Sequence, residues 1–254
     1  MSSARTTRIE VTLEALPFRS LQHWNATNRG EPSREDLPFL RGTVRGLPGV
    51  FPALVAAADL QGRTRLDDEP DSLLGVAVAE ELGHLAQHGL PPAGDCVGLL
   101  AGDFYCAPAA AKRGGFGSAD LVFARMAAAT RCLAGVAGNH DDLTASSPGL
   151  LDGTRIEFDG LRIAGLSGII GESGRPRRRS SDDYLGTVRR ALARAPHVLL
   201  IHEAPEGALA ELLAGAFDGL VICGHRSWPE RVRRLGRAVC LNAHAAVVVL
   251  KVEP

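Results

Sequence analysis

A chain of 254 residues is long enough for one large domain with its own hydrophobic core. Hydrophobic residues make up 45% and charged residues 22%, which excludes a disordered or low-complexity chain. A formal net charge of -1 excludes a uniformly basic nucleic-acid-binding surface and leaves only a local basic patch open.

Residues 1–5 show no charged stretch followed by an apolar one, so no leader segment is expected. Residues 1–50 read as an N-terminal extension packing on a main domain at 51–254. Within the extension, Arg8-Ile9-Glu10-Val11-Thr12-Leu13 alternates polar and apolar residues, as a half-buried strand does. Residues 23–38 are polar and interrupted by Gly30, Pro32 and Pro38, and read as a loop. From Pro52 a theme repeats: short apolar runs alternate with segments of helical spacing. The runs are 53–58, 96–101, 133–137, 198–201 and 220–223, and their unbroken apolar character suits strands buried on both faces. The helical segments are 71–87, 118–131, 182–193 and 206–214, with Asp71 and Ser118 as candidate N-caps. This alternation predicts an α/β fold. Residues 154–168 read as a hairpin turning at Asp159-Gly160. Residues 238–252 read as a strand pair closing the chain, and 171–183 as a loop.

Every apolar run ends in polar residues, and strand ends are where open α/β sheets bind ligands. The clusters are Asp59-Leu60-Gln61, Gly102-Asp103, Gly138-Asn139-His140-Asp141, His202 and Gly224-His225-Arg226-Ser227. They contain no Ser-His-Asp order and no glycine-rich phosphate loop. Carboxylate, imidazole and amide oxygen together form a ligand set for divalent ions such as Mn, Fe, Zn or Ni.

In their order, each after an apolar run, the clusters resemble the five blocks of the calcineurin-like metallophosphoesterases: D-x-H, G-D, G-N-H-D/E, H and G-H-x-H. The resemblance covers about residues 53–252. It implies a sandwich of two mixed β-sheets flanked by helices, and a phosphatase or phosphodiesterase that uses metal-activated water. It also implies the roles of the residues. Asp103 would bridge two ions, and Asn139, His202 and His225 would complete the principal site. Asp59 and Gln61 would serve the other site. His140 would contact the phosphate and protonate the leaving oxygen or stabilise charge, beside Asn139.

The departures from the pattern fall on one site. Gln61 and Ser227 stand where the family has histidine, which implies one firmly held ion and a second that is weak or absent. His244, in Asn242-Ala243-His244, is a further imidazole that could take the vacated place. If the weakened site is dead, the chain is instead a binding or scaffold module. Gly102-Asp103-Phe104-Tyr105-Cys106 lacks the G-D-x-V-D-R-G of the Ser/Thr protein phosphatases, which argues against that branch.

Arg63, close behind Gln61, reads either as a contact to a substrate phosphate or as a member of a surface ion pair. Arg175, Arg177, Arg178 and Arg179 read either as a solvated charge run or as an arm that steers an anionic substrate. Trp228 is expected to pack beneath the last cluster. The expected partner is a phosphorylated small molecule or nucleotide, with nucleic acid left open and the oligomeric state undefined. The five cysteines form no C-x-x-C pair, so they read as buried thiols suited to a reducing cytoplasm. The apolar runs are too short to span a membrane.

Overall fold

The computed structural model describes residues 8–254 apart from positions 28, 113 and 173. The expectation about residues 1–5 therefore lies outside the described residues. The chain begins with strands β1 (Glu10–Leu13), β2 (Arg19–Ala26), β3 (Pro32–Arg45) and β4 (Ala53–Ala58). Helix α1 (Leu74–Glu81) runs on into a 3-10 segment, Leu82–His88, before β5 (Val97–Ala101). Then come β6 (Gly117–Ser118), α2 (Asp120–Ala129), β7 (Cys132–Val136) and β8 (Asp141–Asp142). Strands β9 (Thr154–Phe158), β10 (Leu161–Leu166), β11 (Ile169–Ile170) and β12 (Arg178–Arg179) lead into α3 (Ser181–Leu192). The last elements are β13 (Val198–Ile201), α4 (Gly207–Ala216), β14 (Leu220–Cys223), β15 (Val232–Leu235), β16 (Ala238–Asn242) and β17 (Ala246–Glu253).

Among the described residues, seven strands form one mixed sheet in the order β1-β3-β17-β4-β5-β7, with β2 paired to β3. Six form a second, in the order β15-β16-β14-β13-β10-β9. The sheets face each other across a layer in which Leu54, Leu99 and Val136 of the first meet Ile163, Leu200 and Ile222 of the second. On the outer face of the first sheet, Val55 and Leu100 pack with Val78, Val122 and Phe123 of α1 and α2. On the outer face of the second, Leu199 and Val221 pack with Val188 and Leu213 of α3 and α4. The central strands are thus covered on both faces, which is why their sequences are unbroken apolar runs. The expected α/β sandwich of two mixed sheets with flanking helices is the fold observed. Among the described residues no helix is long and apolar enough to cross a membrane.

Several local expectations need correction. Residues 23–38 are not a loop: β2 and the first half of β3 pair antiparallel, Arg19 with Phe39 through Ala26 with Pro32. Parallel pairing of β3 to β17 begins only at Phe39, so Pro32 and Pro38 lie where β3 has a neighbour on one side, a position that tolerates a missing N–H. The supposed extension therefore supplies strands of the first sheet instead of packing on it.

Residues 238–252 hold two strands, but these do not pair with each other. Strand β16 joins β14 and β15 in the second sheet, whereas β17 joins β3 and β4 in the first. The loop between them crosses from one sheet to the other, and it carries His244. Asp71 caps no α-helix; it sits in a 3-10 turn and bonds Arg65. Ser118 does bond the N–H of Asp120 at the start of α2. Part of the 171–183 segment is ordered as β12, which pairs with β11. The hairpin between β9 and β10 turns as expected, with Asp159 and Gly160 both at positive φ (48° and 83°).

Candidate metal centre

The parallel strands β4, β5 and β7 of one sheet, and β13 and β14 of the other, end at the same edge of the sandwich. Each polar cluster follows directly from one of these ends. The chain turns there through strained backbone: Asp59 (φ 55°), Asp103 (φ 63°) and His225 (φ 64°) all occupy the left-handed region. Such a conformation costs a non-glycine residue about 1–2 kcal/mol and is concentrated at functional sites. The turns also need glycine beside them. A Cβ at Gly138 would lie 1.9 Å from Asp103 Oδ1, and one at Gly224 would lie 2.4 Å from Asp59 Oδ2.

Asp103, His202 and His225 each direct a ligand atom to a common point, with these atoms within 4.8 Å of one another. His202 is fully buried, and its Nδ1 lies 2.7 Å from the carbonyl oxygen of Ala101. Donation of the Nδ1 proton to that carbonyl leaves Nε2 as the lone-pair nitrogen, the arrangement usual for a metal-bound imidazole. Nε2 lies 3.2 Å from Asp103 Oδ2, yet the two are not aligned as a hydrogen bond. Asn139 Oδ1 is likewise buried with no partner in the protein. Buried polar atoms are rarely left unpaired, so orphaned oxygen and nitrogen atoms around a buried carboxylate fit a divalent cation. The residues present therefore suit a metal, with Asp103, His202 and His225 as the candidate ligand group.

The electrostatics agree. Burial alone would lower the pKa of His202, but the charge of Asp103 outweighs it and raises the value to about 10. Burial would raise the Asp103 pKa, and the facing His202 reverses that and lowers it. Burial, reinforced by the charge on His202, lowers His225 to about 4, so that ring is neutral near pH 7. A cation would take the place of the proton on His202.

Beside this centre, Asp59 Oδ2 accepts the backbone N–H of His225 (2.9 Å). Gln61 is also at the site: its Nε2 donates to Asp103 Oδ2 at 3.3 Å. Ser227 is exposed and Trp228 is buried, the latter stacked under Arg233 at 4.4 Å. The imidazole of His244 comes in from the β16–β17 crossover, with Nδ1 3.1 Å from Asp59 Oδ2.

His140 borders the centre from the other side. Its backbone N–H donates to Asp103 Oδ1 (2.9 Å), its Nδ1 is held against the backbone of Gly115, and its Nε2 lies 3.9 Å from Asp103 Oδ2. Asn139 and His140 line a cavity of about 310 Å³ whose wall includes Lys112, Arg175 and Arg178. The other two arginines of the basic stretch are engaged elsewhere, Arg177 on the Leu143 carbonyl and Arg179 on Asp152.

Arg63 does not face this cavity, contrary to the substrate-contact reading. It is buried, and its guanidinium donates to the carbonyls of Ala107, Glu69 and Cys106 and to Ser72 Oγ. Its backbone bridges Trp24 and Leu73. A guanidinium committed to so many internal acceptors is a structural clamp and not a phosphate contact.

Asp141 is a functional residue that sequence reasoning left without a role. Fully buried, it accepts the N–H groups of Asp103 and Gly138 on Oδ2 and those of Phe104 and Tyr105 on Oδ1. Burial and the nearby Asp103 charge raise its pKa, while the N–H groups oppose the rise. It ties the loop after β5 to the loop after β7, so Asp103 and Asn139 are placed by one carboxylate. Its place in Gly138-Asn139-His140-Asp141 was the signal that could have marked it.

No protein-family model and no curated protein sequence matches the chain. Among solved structures it is similar to the sulfate thiohydrolase SoxB of Thermus thermophilus, in complex with glycerol, at a TM-score of 0.40 and 13% identity. That similarity covers 81% of this chain and 57% of the SoxB chain, so the chain spans little more than half the length of that structure.

Proposed function

We propose that this protein is a metal-dependent phosphoester hydrolase of the calcineurin-like metallophosphoesterase type. The observation that carries the reading is the pairing at the principal site: His202, its tautomer set by Ala101, turns an unpartnered Nε2 toward Asp103. Asn139 and His225 complete that ligand set. When bound, a divalent ion there supplies a Lewis acid and a water of lowered pKa. His140 protonates the leaving oxygen or stabilises the charge that develops on it: its Nδ1 is tied to the backbone of Gly115, and its Nε2 lies 3.9 Å from Asp103 Oδ2. Arg175 and Arg178, on the wall of the adjoining cavity, receive the phosphate oxygens and favour an anionic substrate such as a phosphorylated small molecule or nucleotide. A cytoplasmic setting belongs to the same proposal, because cysteines that form no pair among the described residues, such as Cys96 and Cys240, suit a reducing compartment.

The test is hydrolysis of p-nitrophenyl phosphate and bis(p-nitrophenyl) phosphate by the metal-stripped protein reloaded with Mn²⁺, Fe²⁺, Co²⁺, Ni²⁺ or Zn²⁺. Activity should depend on the ion and be lost in His202→Ala and Asp103→Ala. No turnover with any ion would refute the hydrolase reading. The second reading, a binding module with an impaired site, is favoured by Gln61 and the exposed Ser227. It wins if Gln61→His with Ser227→His creates an activity that the natural protein lacks.

A further inference from the structure

We infer that His244 is a ligand in a second cation position beside the principal one, formed with Asp59, Gln61 and the shared Asp103. This inference rests on the metal-dependent reading above. It changes the expectation of a weak second site, because one imidazole in place of the two missing at positions 61 and 227 enters here from the β16–β17 crossover.

Three observations support it. First, His244 Nδ1 is buried, has no hydrogen-bond partner in the protein, and lies 3.1 Å from Asp59 Oδ2. This repeats the relation of His202 Nε2 to Asp103 Oδ2, at 3.2 Å and also unaligned. A plain His–Asp ion pair would direct an N–H along the line to the oxygen, and neither pair does.

Second, Gln61, two residues after Asp59, reaches Asp103. Its amide is 3.3 Å from Asp103 Oδ2, and a half-turn of the amide would offer Oε1 to a cation in place of the N–H now donated. Carboxylate oxygens, one imidazole and an amide oxygen suit a borderline or hard ion such as Mn²⁺ or Co²⁺.

Third, the loop carrying His244 is built to hold it in place. The His244 N–H donates to Asn242 Oδ1 (2.8 Å), and Asn242 Nδ2 donates to the Arg226 carbonyl (2.6 Å) in the cluster that carries His225. The guanidinium of Arg231 donates to the carbonyls of both Asn242 and His244. The Ala245 N–H donates to the carbonyl of Ala58, the residue before Asp59 (3.0 Å), and Ala245 itself is held at φ 47°. The crossover between the sheets is thus fastened both to the end of β4 and to the loop after β14. Outer bonds of this kind fix a ligand's orientation.

The experiment is equilibrium dialysis of the metal-stripped full chain against Mn²⁺ and, separately, Co²⁺, with metal-to-protein ratios by mass spectrometry and the visible absorption of bound Co²⁺. The natural protein should bind about two ions per chain. His244→Ala should bind about one, with the cobalt absorption of the remaining ion retained. His244→Asn should give the same ratio, and far-UV circular dichroism selects the variant that folds. Two ions in the folded His244 variants would overturn the inference. One ion in both the natural protein and the variants would overturn it and leave the principal site standing. No ion in the natural protein would overturn both readings.

Discussion

Replacing Asp141 with asparagine should loosen the metal centre while every proposed ligand stays in the chain. Its two oxygens accept four backbone N–H groups at 2.7–3.0 Å, two on each oxygen. Asparagine keeps one oxygen and turns an NH₂ toward the other pair, leaving two buried donors facing a donor. Hydrogen bonds to a charged acceptor contribute about 1.5–3 kcal/mol each, so losing two removes roughly 3–6 kcal/mol. Part of this is offset, because burial and the neighbouring Asp103 charge disfavour the ionised Asp141. The net expectation is a loss of about 3 kcal/mol, a large share of a typical domain's 5–15 kcal/mol. Urea unfolding of the metal-stripped protein measures it, with the exposed neighbour Asp142→Asn as a control expected within about 0.5 kcal/mol. Because Asp141 also fixes the loop that holds Asp103 at φ 63°, metal affinity should fall about 10–100-fold. A variant with the stability and metal affinity of the natural protein would refute the placement argument.

Arg63→Ala should destabilise the fold by about 3 kcal/mol through its unpaired internal acceptors, and Arg63→Lys should not restore the forked contacts. Whatever folded fraction remains should keep its KM, and a KM raised tenfold would restore Arg63 as a substrate contact. Arg175→Ala and Arg178→Ala should each raise KM for an aryl phosphate by about fivefold, roughly 1 kcal/mol, with the difference shrinking in high salt. Unchanged KM in both would remove the cationic wall from the mechanism. His23 should make the protein lose stability in mild acid. Burial lowers its folded pKa below the ordinary 6.5, so the unfolded chain takes up the proton first. Stability should hold above pH 6.5 and decline below it, and His23→Gln should flatten that decline in denaturant titrations; an unchanged slope would refute the assignment.

Much of the fold could be read from the sequence because the central strands are buried on both faces, and burial leaves unbroken runs such as Leu54-Val55-Ala56-Ala57-Ala58. The polar hairpin of β2 and β3 could not, since its Gly30, Pro32 and Pro38 are the residues of a loop until the pairing with Phe39 and Arg19 is seen. Arg63 is illegible in the sequence for a related reason. A guanidinium near a phosphate site and one near a set of backbone carbonyls look alike in one dimension, and only burial separates them.

The same limit explains why the site near Asp59 looked incomplete. Ordered blocks identify ligands that follow strands in a fixed succession, so Gln61 and Ser227 register as losses. The blocks do not place a compensating group that arrives by topology: the sequence offers His244 as a spare imidazole but not its position. His244 lies in neither block, and its approach to Asp59 requires that β16 end in one sheet and β17 begin in the other. A strand pair closed by a tight turn, as the local pattern suggested, would have kept Asn242, Ala243 and His244 at one sheet's edge. The crossover instead carries the imidazole to the seam between the two sheets, where the other candidate ligands converge.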